Sequence, residues 1–437
     1  MPETALPLLN WHAGLAPGHD RRNGTLTIGG VSAADLAAAY GTPVLALDFD
    51  VLDASIAEIV QACAPQNIEI AYAGKALLLV GLARHLAERG LHLDVCSIGE
   101  LATAERAGFP AERVSLHGCG KTDAELDAAI AGRVGRVIVD NLEELQRIGE
   151  RGGTGIRAAI VLRVNTGVSA HTHDFVRTGG SETKFGISPD DLPSAAAIFA
   201  RYRALRFSGL HSHIGSQIFQ EAALVENVAI LMELAARMKT AGLPCEYVIA
   251  GGGFGVRMNP AEPLELDLAQ AVASIARAAQ SVAESHGIAM PRLGIEPGRA
   301  RIARAGTSVY RVMAVKRQFG RPFVVVDGGI ADNPRPALYD AYHHPVLASR
   351  ESARPAVETV LCGRSCENDK LAIADLPEDI RPGDLIAVCI TGAYTYSMAS
   401  NYNRFPRPAV SAVRAGTHTP IARRESVADV LRMDCDA

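Results

Sequence analysis

Lys75 closes the segment Ile68-Glu69-Ile70-Ala71-Tyr72-Ala73-Gly74-Lys75-Ala76, in which an apolar run with the alternation of a β-strand ends on a single amine. Desolvating a lysine at the mouth of a buried strand is costly, so an amine placed there suits chemistry that needs it neutral, such as bonding to a carbonyl carbon. A strand-end lysine whose head reaches water is the structural alternative. Polar residues recur at the ends of later apolar runs. They are Asp94 and Ser97, His117, Arg163 and Asn165, His211, His213 and Ser216, then Gly251-Gly252-Gly253-Phe254-Gly255 and Glu296-Pro297-Gly298-Arg299. Each has a plainer reading. Glycines after a strand often make only a tight turn, although successive bare N–H groups also form an anion nest suited to phosphate. His211 and His213 share a strand face, but no third ligand with suitable spacing accompanies them, so no metal site is expected. Arg299 could simply pair with Glu296.

The elements that would position these residues follow from periodicity. Residues 68–75, 92–97, 113–118, 136–141, 158–165, 208–216, 246–252 and 293–297 read as strands, and the amphipathic stretches 77–89, 98–107, 123–131 and 222–241 read as helices between them. Eight strand–helix units in a row predict an α/β fold of (β/α)8 barrel type, in which the last helix either follows strand eight or gives way to a crossing into another domain. The alternation stops near residue 300. The short β-rich runs 307–314, 322–327, 358–361, 385–390 and 409–414 predict a second, all-β domain of sandwich or barrel form, which the strand candidate 25–28 joins. The expected division is 1–42 with the β-domain, 43–303 as barrel and 304–437 as C-terminal β-domain. The acidic stretch after Glu425 reads as a helix. Active sites of such barrels lie at the carboxyl ends of the strands, where the residues above fall.

Of the 437 residues, 48% are apolar and the formal net charge is -5, which suits a soluble globular chain of one large and one smaller domain, or of two or three ordinary ones. No stripe of Lys and Arg offers itself to a phosphate backbone, so nucleic acid is not an expected partner. Met1 to Pro17 lack a basic start followed by an apolar core, and no apolar run is long enough to cross a bilayer; neither export nor a membrane partner is expected. The eight cysteines are scattered without a C-x-x-C pair, which is neither a disulfide framework nor a zinc site and fits the cytoplasm. Most read as small core residues. Cys366 is the exception.

Together the strand-end residues meet the needs of one cofactor. Pyridoxal 5'-phosphate requires a lysine for its aldehyde, a carboxylate to keep the pyridine nitrogen protonated, a flat group against the ring and a phosphate cradle. Lys75, Glu296, His213 and Gly251, Gly252 and Gly253 supply these in that order. An ionised glutamate stabilises the pyridinium and makes the ring a strong electron sink.

The motifs Tyr72-Ala73-Gly74-Lys75-Ala76, Asp94-Val95-Cys96-Ser97-Ile98-Gly99-Glu100-Leu101, His211-Ser212-His213-Ile214-Gly215-Ser216-Gln217, 251–255 and Glu296-Pro297-Gly298-Arg299 resemble the signature set of the barrel-fold, group IV pyridoxal-phosphate decarboxylases. Thr178-Gly179, Thr183-Lys184-Phe185-Gly186, Arg335-Pro336-Ala337-Leu338-Tyr339, Cys366-Glu367, Gly392-Ala393-Tyr394 and Met398-Ala399-Ser400-Asn401-Tyr402-Asn403 are most similar to the diaminopimelate branch of that family. The resemblance implies a homodimer whose sites form between the barrel of one subunit and the β-domain of the other. It implies that Lys75 binds the cofactor covalently, that Glu296 pairs with the ring nitrogen, that His213 stacks on the ring and that Asp94 belongs to the cofactor site. Ser216, Gly253, Gly298 and Arg299 would serve the phosphate. Arg299, Arg335 and Tyr339 would meet substrate carboxylates, and Tyr394 would touch cofactor and substrate. Cys366, as proton donor, and Glu367, at the distal end of the substrate, would reach in from the partner.

The implied reaction is decarboxylation of meso-2,6-diaminopimelate to L-lysine, the last step of one lysine-biosynthesis route. One segment departs from the family pattern. Where that branch usually continues Cys-Glu with Ser-Gly-Asp or Ser-Ser-Asp, here Cys366-Glu367 runs into Asn368-Asp369-Lys370-Leu371, one residue shorter and without the serine that helps recognise the reacting end of the substrate. Substrate choice therefore stays open to a related decarboxylase acting on ornithine, a D-amino acid or a carrier-bound glutamyl group. A racemase on the same barrel would face the ring nitrogen with arginine rather than Glu296. An inactive homologue would not need to retain Lys75, Cys366, Glu367 and Tyr394.

Overall fold

Eight short parallel strands close into a barrel in chain order: Glu69–Ala73, His92–Val95, Val114–Leu116, Arg136–Val139, Ala159–Arg163, Phe207–His211, Tyr247–Ile249 and Arg292–Ile295, the last pairing back onto the first. The computed structural model describes residues 15–153, 155–168, 183–259 and 262–435; Thr178-Gly179 lies outside them. All eight expected strands are present, each shorter than its apolar run. The alternation read in the first strand is not a division between core and solvent, because all five residues of Glu69–Ala73 are buried. A barrel strand is covered on its outer face by helices and on its inner face by the other strands. Ile138, Val161 and Ile249 pack together inside.

The amino-terminal ends of the strands carry a charged plug. Glu69 pairs with Arg136, lies 3.3 Å from His92 Nδ1 and 3.8 Å from Arg292 Nη1, and the Arg136 guanidinium sits 4.7 Å from the centre of the Tyr247 ring. These four charged or titratable residues start strands one, two, four and eight. Conservative packing at this end serves stability, which leaves the carboxyl ends for chemistry.

Three consecutive helices between the strands start on side-chain caps. Ser97 accepts from Glu100 N–H ahead of Ile98–Ala107, Thr122 and Glu125 form a capping box ahead of Asp123–Ile130, and Asn141 caps Leu142–Gly152. Ser97, which the sequence offered as a strand-end functional residue, is thereby occupied as a cap.

The chain divides into two compact units: Glu58–Val256 with Leu264–Gly298, and Met1–Ala57 with Arg257–Pro263 and Arg299–Ala437. Residues 43–57, read from the sequence as the start of the barrel, fall in the β-rich unit, because Val44–Asp48 hydrogen-bonds between Gly306–Gln318 and Ala409–Arg414. The chain leaves the barrel unit after Gly298, and a four-residue helix, Arg299–Ile302, stands where an eighth barrel helix would begin.

The β-rich unit holds a nine-stranded mixed sheet. Its path runs Lys370–Pro377, Ala356–Cys362, Arg321–Val326, Gly306–Gln318, Val44–Asp48, Ala409–Arg414 and Thr417–Ala422, with Leu385–Cys389 bridging Gly306–Gln318 to Pro345–Leu347. Tyr310, Val312, Val326, Leu361, Ile386 and Val388 form its core. Thr25–Ile28 belongs to this unit but not to that sheet. It forms a hairpin with His19–Arg22 through Asn23-Gly24, both at positive φ (50° and 79°), and a third strand, Val31–Ser32, completes a small sheet. A short helix, Val427–Leu431, follows Glu425 as expected.

Candidate active site

Four titratable side chains converge at the carboxyl ends of barrel strands two, three, six and eight. Glu296 follows strand eight and is buried; its Oε2 lies 2.9 Å from Nε2 of His211, the last residue of strand six. His117, one residue past strand three, is fixed by its own N–H donating to Val95 O at 2.7 Å, and its Nε2 stands 3.4 Å from both Glu296 Oε1 and Asp94 Oδ1. Its ring meets that of His211 edge-on, with centroids 5.2 Å apart. At 3.4 Å these are ionic contacts rather than aligned hydrogen bonds, and both Asp94 oxygens are buried without a hydrogen-bond partner.

Burial opposes charge here, and the neighbours decide which groups keep it. Desolvation would raise the Glu296 carboxyl, but His211 and His117 outweigh it and hold Glu296 well below the ordinary carboxylate range. Desolvation would lower His117, but Glu296 and Asp94 outweigh it and carry the imidazole up to about 9. Asp94 is raised to about 6 by burial and by the Glu296 charge, and burial lowers His211 to about 4. At neutral pH Glu296 and Asp94 are carboxylates, His117 is an imidazolium, and His211 is a neutral donor to Glu296. Among these four side chains two negative charges face one positive, which fits a pyridinium nitrogen set against Glu296.

The sequence reading paired His211 with His213 and found no third ligand. The structure pairs His211 with His117 instead, from another strand, and the ligand atoms of His117, His211 and Glu296 lie within 4.8 Å of one another. Such a set could hold a metal, but the His211–Glu296 hydrogen bond and the charge on His117 already engage these atoms. In the sequence His117 is marked only as a strand-end residue. Its place between two carboxylates comes from strands two, three and eight being brought together, which no spacing in the chain displays.

His117 also ties stability to pH. Its folded-state pKa lies above the unfolded value near 6.5, so its contribution is full below that pH and is lost as pH rises through about 9. The thermal midpoint of the cofactor-free protein is expected to fall across this window, and His117→Asn to flatten that part of the profile. An unchanged slope in the variant would show that other groups carry it.

His213 is separate from the charged cluster. Its Nδ1 accepts from Gly252 N–H at 3.3 Å, which places the ring proton on Nε2, and burial followed by the Lys75 charge pushes its pKa well below the ordinary value. The ring is therefore neutral and oriented, as a flat group stacked on a cofactor must be. The backbone that holds it admits only glycine. A Cβ on Gly252 would lie 2.1 Å from Glu296 O, and one on Gly253, at φ 90°, 2.1 Å from Gly215 O. The turn carrying Ser216 is locked to this segment by Gln217, whose amide donates to Val256 O and accepts from Val256 N–H, each at 2.9 Å. Gly298 packs on strand one, where a Cβ would come within 3.0 Å of Ala73 Cβ.

Lys75 sits in the single 3-10 turn Gly74–Ala76 that follows strand one. Its flanking residues are buried but its own side chain is exposed, so the desolvation anticipated from the sequence is absent. The strand ends at Ala73, and the turn leaves the Lys75 side chain open to solvent.

The remaining expected residues lie in the β-rich unit, in two groups. Arg299 and Arg335 stand over the Tyr394 ring, 4.7 Å and 5.4 Å from its centre, and Arg335 is 4.9 Å from the centre of Tyr339. Both guanidiniums are buried, and burial, then the neighbouring Arg299 charge, lowers Arg335 to about 10. Two buried cations sharing aromatic faces are chemically suited to meet an anion. Tyr394 is held at φ 60°, a conformation that costs a non-glycine residue about 1 kcal/mol or more. Cys366 and Glu367 form the other group, exposed on a loop, where Cys366 N–H donates to Asn403 Oδ1 and Glu367 accepts from Tyr402.

Residues 52–303 match the family described as pyridoxal-dependent decarboxylase, pyridoxal binding domain. The chain is 43% identical over 419 residues to a diaminopimelate decarboxylase from Actinosynnema pretiosum, covering 94% of this chain and 93% of that protein. Its fold is similar to that of a diaminopimelate decarboxylase from M. jannaschii solved with L-lysine, with a TM-score of 0.88, 27% identity and coverage of 96% and 98% of the two chains. A lysine/ornithine decarboxylase from Vibrio vulnificus solved with cadaverine gives a TM-score of 0.75, 26% identity and coverage of 87% and 97%. With the matched barrel, the buried glutamate and the full-length likeness in hand, the chain belongs to the pyridoxal-dependent decarboxylases, in the diaminopimelate decarboxylase family.

Proposed function

We infer that this carboxy-lyase converts meso-2,6-diaminopimelate to L-lysine and carbon dioxide, using pyridoxal phosphate. The observation that carries the chemistry is Glu296, buried yet held ionised by His211 and His117. A carboxylate in that state keeps the pyridine nitrogen protonated, which favours loss of carbon dioxide and disfavours the arginine-partnered chemistry of a racemase.

Lys75 would hold the cofactor by its aldehyde, the neutral His213 ring would lie against it, and the 251–253 glycines with Ser216, Gly298 and Arg299 would receive its phosphate. When bound, the cofactor would supply an electron sink for the pair left by the departing carboxylate. The other steps belong to the chain. Arg299 and Arg335 orient a dianionic substrate by its carboxylates, with Tyr339 and Tyr394 as walls. Glu367 takes the distal ammonium, and Cys366 Sγ delivers a proton to the carbon that has lost its carboxylate.

Cys366 and Glu367 act in the partner's site of a homodimer. Their exposure on a loop supports this, since groups that touch substrate should not remain in open solvent. Among the described residues no helix is long and apolar enough to cross a membrane, and all eight cysteines are free, in keeping with a cytoplasmic enzyme. Mixing Lys75→Ala with Cys366→Ala protein should then restore activity through mixed dimers, whereas sites built within one chain would stay dead.

Carbon dioxide release on meso-diaminopimelate, L-ornithine, L-lysine and their D-forms tests the substrate. Diaminopimelate should win, with L-lysine as product; a faster reaction with ornithine would move specificity to the shortened 366–369 loop. In the same assay Cys366→Ala should keep the visible absorbance of bound cofactor but lose about 99% of product formation, a proton-transfer effect of order a hundredfold. Retention of full turnover would remove Cys366 from the mechanism.

A further inference from the structure

The loop bearing Cys366 and Glu367 is anchored from below and steered from above. Below, the Asp369 carboxylate is buried and accepts from Ile330 N–H at 3.1 Å, so close to Gly329 and Gly363 that a Cβ on either would lie 2.2 Å from its Oδ2. Above, the turn Tyr402–Arg404 supplies both contacts to the exposed tip: Asn403 Oδ1 accepts from Cys366 N–H at 3.0 Å, and Tyr402 Oη donates to Glu367 Oε1 at 2.5 Å.

That turn is itself held in an unfavourable shape. Asn403 and Arg404 adopt φ of 51° and 61°, Asn401 Nδ2 ties the turn to Phe405 O at 3.0 Å and to Glu425 Oε2 at 2.6 Å, and Arg404 pairs with Asp434. Backbone held in the left-handed region by several side-chain ties marks a position under constraint. What the constraint achieves is a phenol aimed at one oxygen of Glu367.

A glutamate on an exposed loop would otherwise spend its rotamer freedom each time it met a ligand, which weakens binding. With Oε1 already engaged by a donor, Oε2 is left as a directed acceptor of a size and charge suited to one ammonium group. We propose that Tyr402 is a specificity-determining positioning residue, which fixes Glu367 for the distal ammonium of the substrate. The proposal rests on the reading of Glu367 given above. It also gives the shortened loop a means of precision from outside itself, since the exposed Asn368 follows Glu367 where the family's serine would stand.

Steady-state kinetics of the holoenzyme with Tyr402→Phe, Glu367→Gln and the double variant test this. Tyr402→Phe should raise KM for meso-diaminopimelate about tenfold, or 1.4 kcal/mol, with kcat within about twofold. The double variant should be no worse than Glu367→Gln alone, because the phenol acts through the carboxylate. Competitive inhibition by D-2-aminopimelate, which keeps the reacting amine and lacks the distal one, should be unaffected by Tyr402→Phe; a merely loosened loop would weaken it too. An unchanged KM in Tyr402→Phe, or effects that multiply in the double variant, overturns the proposal. If Glu367→Gln alone leaves KM unchanged, the reading of Glu367 fails first, and this one with it.

Discussion

Lys75→Ala is expected to yield a folded protein that has lost the visible absorbance of covalently held cofactor and at least about a thousandfold in turnover. The two parts of this result have different origins. The Lys75 side chain is exposed in a one-turn helix after strand one, so removing it deletes no core packing, and the thermal midpoint should move by no more than a surface substitution allows, about 0.5 kcal/mol in stability. The loss is chemical, because no other amine stands at this strand end. Absorbance spectroscopy and turnover on one preparation decide it, and a Lys75→Ala protein with the visible band and normal rates would place the covalent attachment elsewhere.

Glu296→Gln tests the electronic half of the site. The amide keeps the shape and can still hydrogen-bond with His211, but it removes the charge that the cluster presents. Two consequences follow from the charge count. The pyridine nitrogen loses the partner that keeps it protonated, and kcat should fall by about a hundredfold or more, the scale of losing one preorganised electrostatic partner at a reacting centre. His117 is left with Asp94 as its sole carboxylate neighbour among the groups described at this strand end, so its imidazole should titrate closer to neutrality, which NMR can follow. The cofactor band should persist, since Lys75 is untouched. A variant that kept kcat within a few-fold would show that the ring nitrogen does not depend on this carboxylate.

The barrel was legible because its strands and helices have different periods and alternate eight times over. Its strand-end residues were legible for the same reason, since Lys75, His213, Glu296 and the 251–253 glycines each close a run of apolar sequence. What could not be read was convergence. His117, Asp94 and Glu296 lie far apart in the chain, and the imidazolium between two carboxylates exists only because three strand ends meet. Strand Val44–Asp48 was missed for a related reason. It precedes the barrel and its partners come after it, near residues 306 and 409, so local pattern put it with the wrong neighbour. The Asn23-Gly24 hairpin, by contrast, carried a readable signal in its two turn residues. Tyr402 stands in the sequence only as part of a motif, and nothing in its spacing from Glu367 announces that the two side chains touch.

The plug at the amino-terminal ends of the strands has a consequence for traffic. Glu69, Arg136, His92 and Arg292 interlock there, and the guanidinium of Arg136 lies against Tyr247, so the barrel is stoppered at that end. Whatever reaches Glu296 comes in by the carboxyl-end mouth and leaves by it. An amino acid arriving and an amine departing must therefore take turns at one doorway, and a product that lingers there holds the next substrate outside.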